Sequence, residues 1–193
     1  MKPSMLRKAR ESSDVARAIV ERDGERIEAC VHAMAARFRR GGRLWTFGNG
    51  GSACDAQHAA LEFLHPIVEK RRALPAIALS ADAATMSAIA NDRDFALVFA
   101  EPLRRLGTPD DVALGISTSG QSANVLRGID AAREIGMLTI AFSGRDGGRL
   151  AQRAEHAFVA PSFSIHRIQE THVLLLHLLW DELHVALGEP DVL

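Results

Sequence analysis

The chain has almost no cysteine. Its two thiols, Cys30 and Cys54, exclude a disulfide framework, and their separation matches no metal-binding cysteine pattern. A reducing cytoplasm is therefore the expected compartment. Charge of one sign is equally scarce. A formal net charge of −1 gives no global attraction to nucleic acid or to an anionic membrane, and neither is expected as a partner. Long hydrophobic runs are missing as well. The longest near the C-terminus, 173–180, contains His177 and is far too short to cross a bilayer. Lys2, Arg7, Lys8 and Arg10 break up any signal-peptide core at the other end. With 15 glycines and 7 prolines in 193 residues, there is no linker or low-complexity tract. What remains is a globular composition, 47% apolar and 24% charged, of a length that suits one domain with one sizeable core.

Apolar residues recur at helical spacing twice near the start. Val15 and Ile19 lie on a first helix that Asp23-Gly24 ends; Ile27, Val31, Met34 and Phe38 mark a second, stopped by Arg40-Gly41-Gly42. The period then changes. Arg43-Leu44-Trp45-Thr46-Phe47 is short, aromatic and strand-like, and strands and helices alternate from there on. The pattern predicts a helix over 53–64, a buried strand over 76–79 and a helix over 83–90. A turn at Asn91-Asp92 and a helix over 95–106 follow. Next come a strand over 112–116, a helix over 123–135 and a strand over 137–142. A short helix after Gly147-Gly148, a strand over 157–159 and a long helix over 165–187 complete the chain. Such alternation implies parallel β-α-β units and a doubly wound α/β sheet. The division is an N-terminal helical extension over 1–42 and a sheet domain over 43–193, forming one structural unit. An apolar stripe on an extension of this kind should bury itself against other subunits.

Doubly wound sheets bind ligands where strand ends meet helix starts. Two loops occupy such places: Gly48-Asn49-Gly50-Gly51-Ser52 and Ser117-Thr118-Ser119-Gly120-Gln121-Ser122. Neither is a P-loop or a dinucleotide fingerprint. Free amides at a helix N-terminus, with the helix dipole, make an anion site, and hydroxyls can add donors. The competing reading is that the serines only cap their helix. Four hydroxyls in six positions, directly after an apolar strand, favour phosphate.

His58 and Glu62 are four residues apart and share a helix face. Their spacing also fits an ordinary ion pair. Gln169, His172 and His177 lie on the last helix. His177 is the more telling imidazole, because its neighbours are leucines and a buried imidazole without a partner is costly. Gln169 and His177 are about 12 Å apart along a helix axis and roughly 80° apart around it. They would share one metal only by leaning together or by coming from different subunits.

Five segments resemble phosphoheptose isomerases of the sugar-isomerase-domain family in order and spacing. They are Gly48-Asn49-Gly50-Gly51-Ser52, His58-Ala59-Ala60-Leu61-Glu62, Ala90-Asn91-Asp92, Ile116-Ser117-Thr118-Ser119-Gly120 and Arg167-Ile168-Gln169-Glu170. The resemblance runs from about Arg43 to Leu187. It implies a flavodoxin-like fold assembled as a homotetramer through the N-terminal helices. By position, Asn49, Gly50, Gly51, Ser52, Glu62, Asn91, Asp92 and Gln169 resemble sugar contacts, and Ser117, Thr118, Ser119 and Ser122 the phosphate site. His58, Glu62, Gln169 and His177 resemble the ligands of one zinc ion per subunit, with Glu62 and His177 also matching the catalytic base and acid. The implied reaction, in heptose precursor synthesis, isomerises sedoheptulose 7-phosphate to D-glycero-D-manno-heptose 7-phosphate through an enediol. Two departures bear on the exact sugar. Leu64-His65-Pro66 stands where many relatives carry an arginine, and His166 where they carry a different residue. A related group keeps the fold but is a regulator that binds the replication initiator protein, without counterparts of Glu62 and His177. Both residues are present here, which favours the enzyme.

Overall fold

Five short segments form one sheet: β1 (Leu44–Gly48), β2 (Ala76–Ala78), β3 (Val112–Ser117), β4 (Leu138–Gly144) and β5 (His156–Ala160). The computed structural model describes residues 2–67 and 71–191. Strand order is β2-β1-β3-β4-β5, and every pair is parallel. Strands β1, β3 and β4 are buried along their whole length, which is why they read as unbroken apolar runs. Among the described residues, six α-helices cover the sheet: α1 (Pro3–Arg39), α2 (Gly51–Leu64), α3 (Ala83–Asp92), α4 (Ala100–Leu106), α5 (Ala123–Ile135) and α6 (Ile165–Ala186). On one face Met34 of α1, Phe63 of α2 and Leu176 of α6 pack on Ile116 and Phe142. On the other, Leu103 of α4 and Ile129 of α5 pack on Trp45 and Phe47. Side chains alternate along β1 accordingly, so Thr46 turns toward α2 and its hydroxyl donates to Ala56 O at 2.6 Å.

The expected break at Asp23-Gly24 does not occur, and α1 is a single helix of 37 residues. An internal glycine costs a helix only about 1 kcal/mol. Ile19 before it and Ile27, Val31 and Met34 after it bury one continuous stripe. Asp23 is itself buried, held by Arg22 at 2.6 Å and Arg26 at 2.7 Å. Burial pushes its carboxyl up, but the two guanidiniums outweigh that and leave it below the usual range. Both arginines continue to β5, where Arg22 donates to Val159 O and Arg26 to Ala157 O.

Four smaller expectations also change. β2 is an edge strand with Ile77 exposed, not a buried one. Asn91 and Asp92 form the last turn of α3, and the single helix expected over 95–106 is a 3-10 turn at Phe95–Leu97 followed by α4. Pro102 explains the split of that helix. It has no amide to give to residue 98, so the helix restarts at Ala100 with the proline in its first turn. The segment after Gly147-Gly148 forms isolated turns instead of a helix. The amide of Leu150 leaves its own segment and donates to Gly120 O at 3.0 Å, which ties this turn to the loop after β3.

Candidate active site

The chain leaves β1 toward the β2 side and later re-enters at β3, so strand order reverses between β1 and β3. That reversal is the switch point at which doubly wound sheets open a crevice, and both loops exit there from hydrogen-bonded neighbours, Gly48 facing Ile116. Gly50, at φ 55°, precedes α2, and no side chain caps that helix. Ser122 stands at the N-cap of α5 yet does not cap it. Its Oγ pairs instead with Ser117 Oγ at 3.0 Å. Ser52 N and Ala53 N donate to Asn49 O and Gly50 O at 3.0 Å and Val125 N to Asn124 Oδ1 at 2.9 Å, which leaves the first amides of the two adjacent helices, those of Gly51 and Ala123, for an anion. The capping reading of the serine loop fails at the residue best placed to cap. Thr118 and Ser119 are half-buried beside Ser117 and Ser122, and Ser119 Oγ accepts from the amide of Gln121 at 3.3 Å.

Asn49 is tied across the switch point to Asn124, the two amides exchanging hydrogen bonds of 2.8 Å in both directions. Asn124 did not stand out in the sequence. Its only signal is a buried polar residue in the first turn of a helix. Gly120 fixes the second loop from the other side. It sits at φ +63°, and a Cβ there would lie 2.1 Å from Gly147 O. Gly120→Ala is expected to destabilise the fold by at least about 1–2 kcal/mol, the cost of left-handed backbone for a residue with a Cβ. A denaturation midpoint unchanged from wild type would contradict this.

Ser52 is buried, Gly51 is exposed, and the amide of Gln169 lies against Gly51, where a Cβ would meet Nε2 at 2.0 Å. Asn91 and Asp92 are exposed at the end of α3, with Asn91 Nδ2 donating to Asp92 Oδ1 at 2.7 Å. His166 is exposed in the first turn of α6, and His65 is exposed just past the end of α2.

A second group forms farther along α2 and α6. Ligand atoms of His58, Glu62 and His177 all lie within 4.8 Å of one another. His58 Nε2 is 3.1 Å from Glu62 Oε1, and the rings of His58 and His177 meet edge-on with centroids 5.1 Å apart. An i, i+4 ion pair accounts for the first contact but not for the third residue. His177 is exposed, not buried as its leucine neighbours suggested. A run of leucines wraps around a helix: Leu175, Leu176 and Leu179 face the core while His177 points away. His172 and His184 are the buried histidines of α6. Burial pushes the His172 imidazole down to about 4, and neutral Nε2–H donates to Ser143 O at 3.0 Å. It is a core residue and no substitute acid. Asp55, one turn before His58, escaped the sequence reading; burial pushes its carboxyl up to about 6, against the opposing charge of His58.

Gln169 does not reach this group along its own helix. Gly51 faces Gln169 while Glu62 O faces Trp180, so α2 and α6 run side by side with Gln169 about 12 Å along the axis from His177.

A parallel sheet of this order with helices on both faces defines a doubly wound α/β domain, and residues 9–144 match the SIS domain family. The chain is 45% identical over 170 residues to the phosphoheptose isomerase of Aquifex aeolicus, covering 88% of this chain and 89% of that one. The solved phosphoheptose isomerase of Neisseria gonorrhoeae superposes with a TM-score of 0.86 at 36% identity, covering 93% of this chain and 96% of that one. That of Francisella tularensis gives 0.82 at 32% identity, covering 96% and 100%. The chain belongs to the phosphoheptose isomerase family. Among the described residues, no helix is long and apolar enough to cross a membrane.

Proposed function

We propose that the protein isomerises sedoheptulose 7-phosphate to D-glycero-D-manno-heptose 7-phosphate in the cytoplasm. The observation that carries this reading is the convergence of Glu62, His58 and His177 on neighbouring helices, in a member of this family that also keeps two uncapped helix N-termini for phosphate. Glu62 removes a proton from C1 of the ketose while His177 gives one to the carbonyl oxygen at C2, producing an enediol. Return of the proton to C2, with loss of the O1 hydroxyl proton, yields the aldose. Ser117, Thr118, Ser119 and Ser122 hold the phosphate, and Asn49, Gly50, Gly51, Ser52, Asn91 and Asp92 the sugar. The presence of both acid–base residues disfavours a purely regulatory protein.

The donors of His58, Glu62 and His177, two imidazole nitrogens and a carboxylate, suit zinc. Bound zinc would polarise the substrate carbonyl. Gln169 completes this set from a second copy, because within one chain it lies beside Gly51, whose own distance to Glu62 along α2 is about 16 Å. The phosphate loops and Gln169 of one copy then face the triad of another. The exposed Met5 and Leu6 of α1, whose burial in the core begins only at Ile19, support assembly through that helix as a homotetramer.

Incubation with sedoheptulose 7-phosphate, with and without added zinc, is expected to yield the aldose phosphate. No product under either condition would end the isomerase reading. Light scattering should show four copies, and a stable monomer at micromolar concentration would remove the shared site.

A further inference from the structure

We propose that Trp180 is a positioning residue that sets the offset of Glu62 relative to His177, an inference that rests on those two forming the acid–base pair. The last carbonyls of a helix need partners from outside it. At the end of α2, Leu61 O accepts from the amide of His65 at 2.8 Å, and Phe63 O from that of Leu74 at 2.7 Å. The carbonyl of Glu62 lies between them. Its partner in a continued helix would be the amide of residue 66, but that residue is Pro66, which has none. The indole of Trp180 takes the vacancy, donating from Nε1 to Glu62 O at 2.9 Å.

The indole is itself held on several sides. It is 5% exposed. The guanidinium of Arg71 sits 4.7 Å from the ring centroid and is ion-paired to Asp181 at 2.6 Å. The ring of His184 lies 4.7 Å away, anchored through Nδ1 to Glu189 at 3.1 Å. Trp180 follows His177 by three positions, so the donor is rooted about 4.5 Å along the same helix. One hydrogen bond thus joins the backbone of Glu62 to the helix that carries His177. Any slide of α2 along α6 would change the separation of the two groups by a similar distance, and a displacement of about 1 Å can cost roughly 10²-fold in rate.

Trp180→Phe keeps an aromatic ring against Arg71 and His184 and removes the donor together with part of the indole's bulk. Turnover of sedoheptulose 7-phosphate should fall about 10- to 100-fold, the usual size of effect when a partner that orients a site residue is lost. KM should stay within about twofold, because the phosphate loops lie some 16 Å along α2 from Glu62. The affinity of the metal-free full-length protein for Co²⁺, followed by its visible spectrum, should drop by about 10-fold or more, and the melting midpoint should fall by a few degrees with the protein still folded at the assay temperature. If the phenylalanine variant fails to fold, β-(3-benzothienyl)alanine at position 180, with sulfur in place of the N–H, keeps the ring shape and gives the same readouts. Turnover and Co²⁺ affinity both within twofold of wild type would overturn the proposal. So would losses of turnover that track an equal rise in KM and a matching loss of folded protein, which would make Trp180 a packing residue only. Should wild type bind Co²⁺ but show no isomerase turnover, the functional reading fails while the Co²⁺ comparison still decides the role of Trp180.

Discussion

Glu62→Gln is expected to lower turnover by at least about 10²-fold, the lower end of what a general base contributes, while the protein folds and binds phosphate ligands as before. Glutamine is close to glutamate in size and in helix propensity, so α2 should persist, and its amide can still meet His58 Nε2 across the 3.1 Å contact. What disappears is the capacity to accept a proton from carbon. The loops at the switch point should keep their affinity, since they lie at the other end of α2. Steady-state kinetics with calorimetry of a non-isomerisable phosphate ligand separate the two effects. Retention of more than about a tenth of wild-type turnover would move the base elsewhere. Asp55 would then be the next carboxylate to test, with its carboxyl already raised to about 6 by burial.

His177→Ala is expected to remove bound metal and turnover together, the latter by about 10²–10⁴-fold, with little change in melting midpoint. The stability expectation follows from exposure: His177 covers none of the core in which Leu175, Leu176 and Leu179 lie. For the same reason His177→Leu should gain no stability, although the leucine-rich context of the sequence suggests that it would. Elemental analysis after desalting, alongside the isomerase assay, checks both variants. Full metal content with full activity in His177→Ala would take His177 out of the site altogether.

The sheet was legible because buried parallel strands leave continuous apolar runs, and the loops because glycine and serine directly after such runs have few other uses. Helix ends were harder to place. Gly24 looked like a stop because local propensity said so, while the stripe from Ile19 to Phe38, a tertiary effect, carried the helix through it. His177 lies with His58 and Glu62, but the leucine-rich context that singles it out in the sequence fails as a reason, since linear neighbours do not define a helix face. His172, between Thr171 and Val173, and His184 are the ones that the fold buries. Asn124, Asp55 and Trp180 left no usable mark in the sequence. Asn124 and Trp180 stand out by what lies opposite them, across a switch point and a helix interface, and Asp55 by its burial; one-dimensional spacing carries no such information.

The arginine pair at Asp23 has a consequence for the company the sheet can keep. An edge strand with bare carbonyls is a template on which a foreign strand can grow. On β5 the carbonyls of Ala157 and Val159 are already taken by Arg26 and Arg22, and β2 at the opposite border spans only three residues. The sheet is closed to extension at one end and too short to seed it at the other. Misassembly into β-rich aggregates is thereby discouraged.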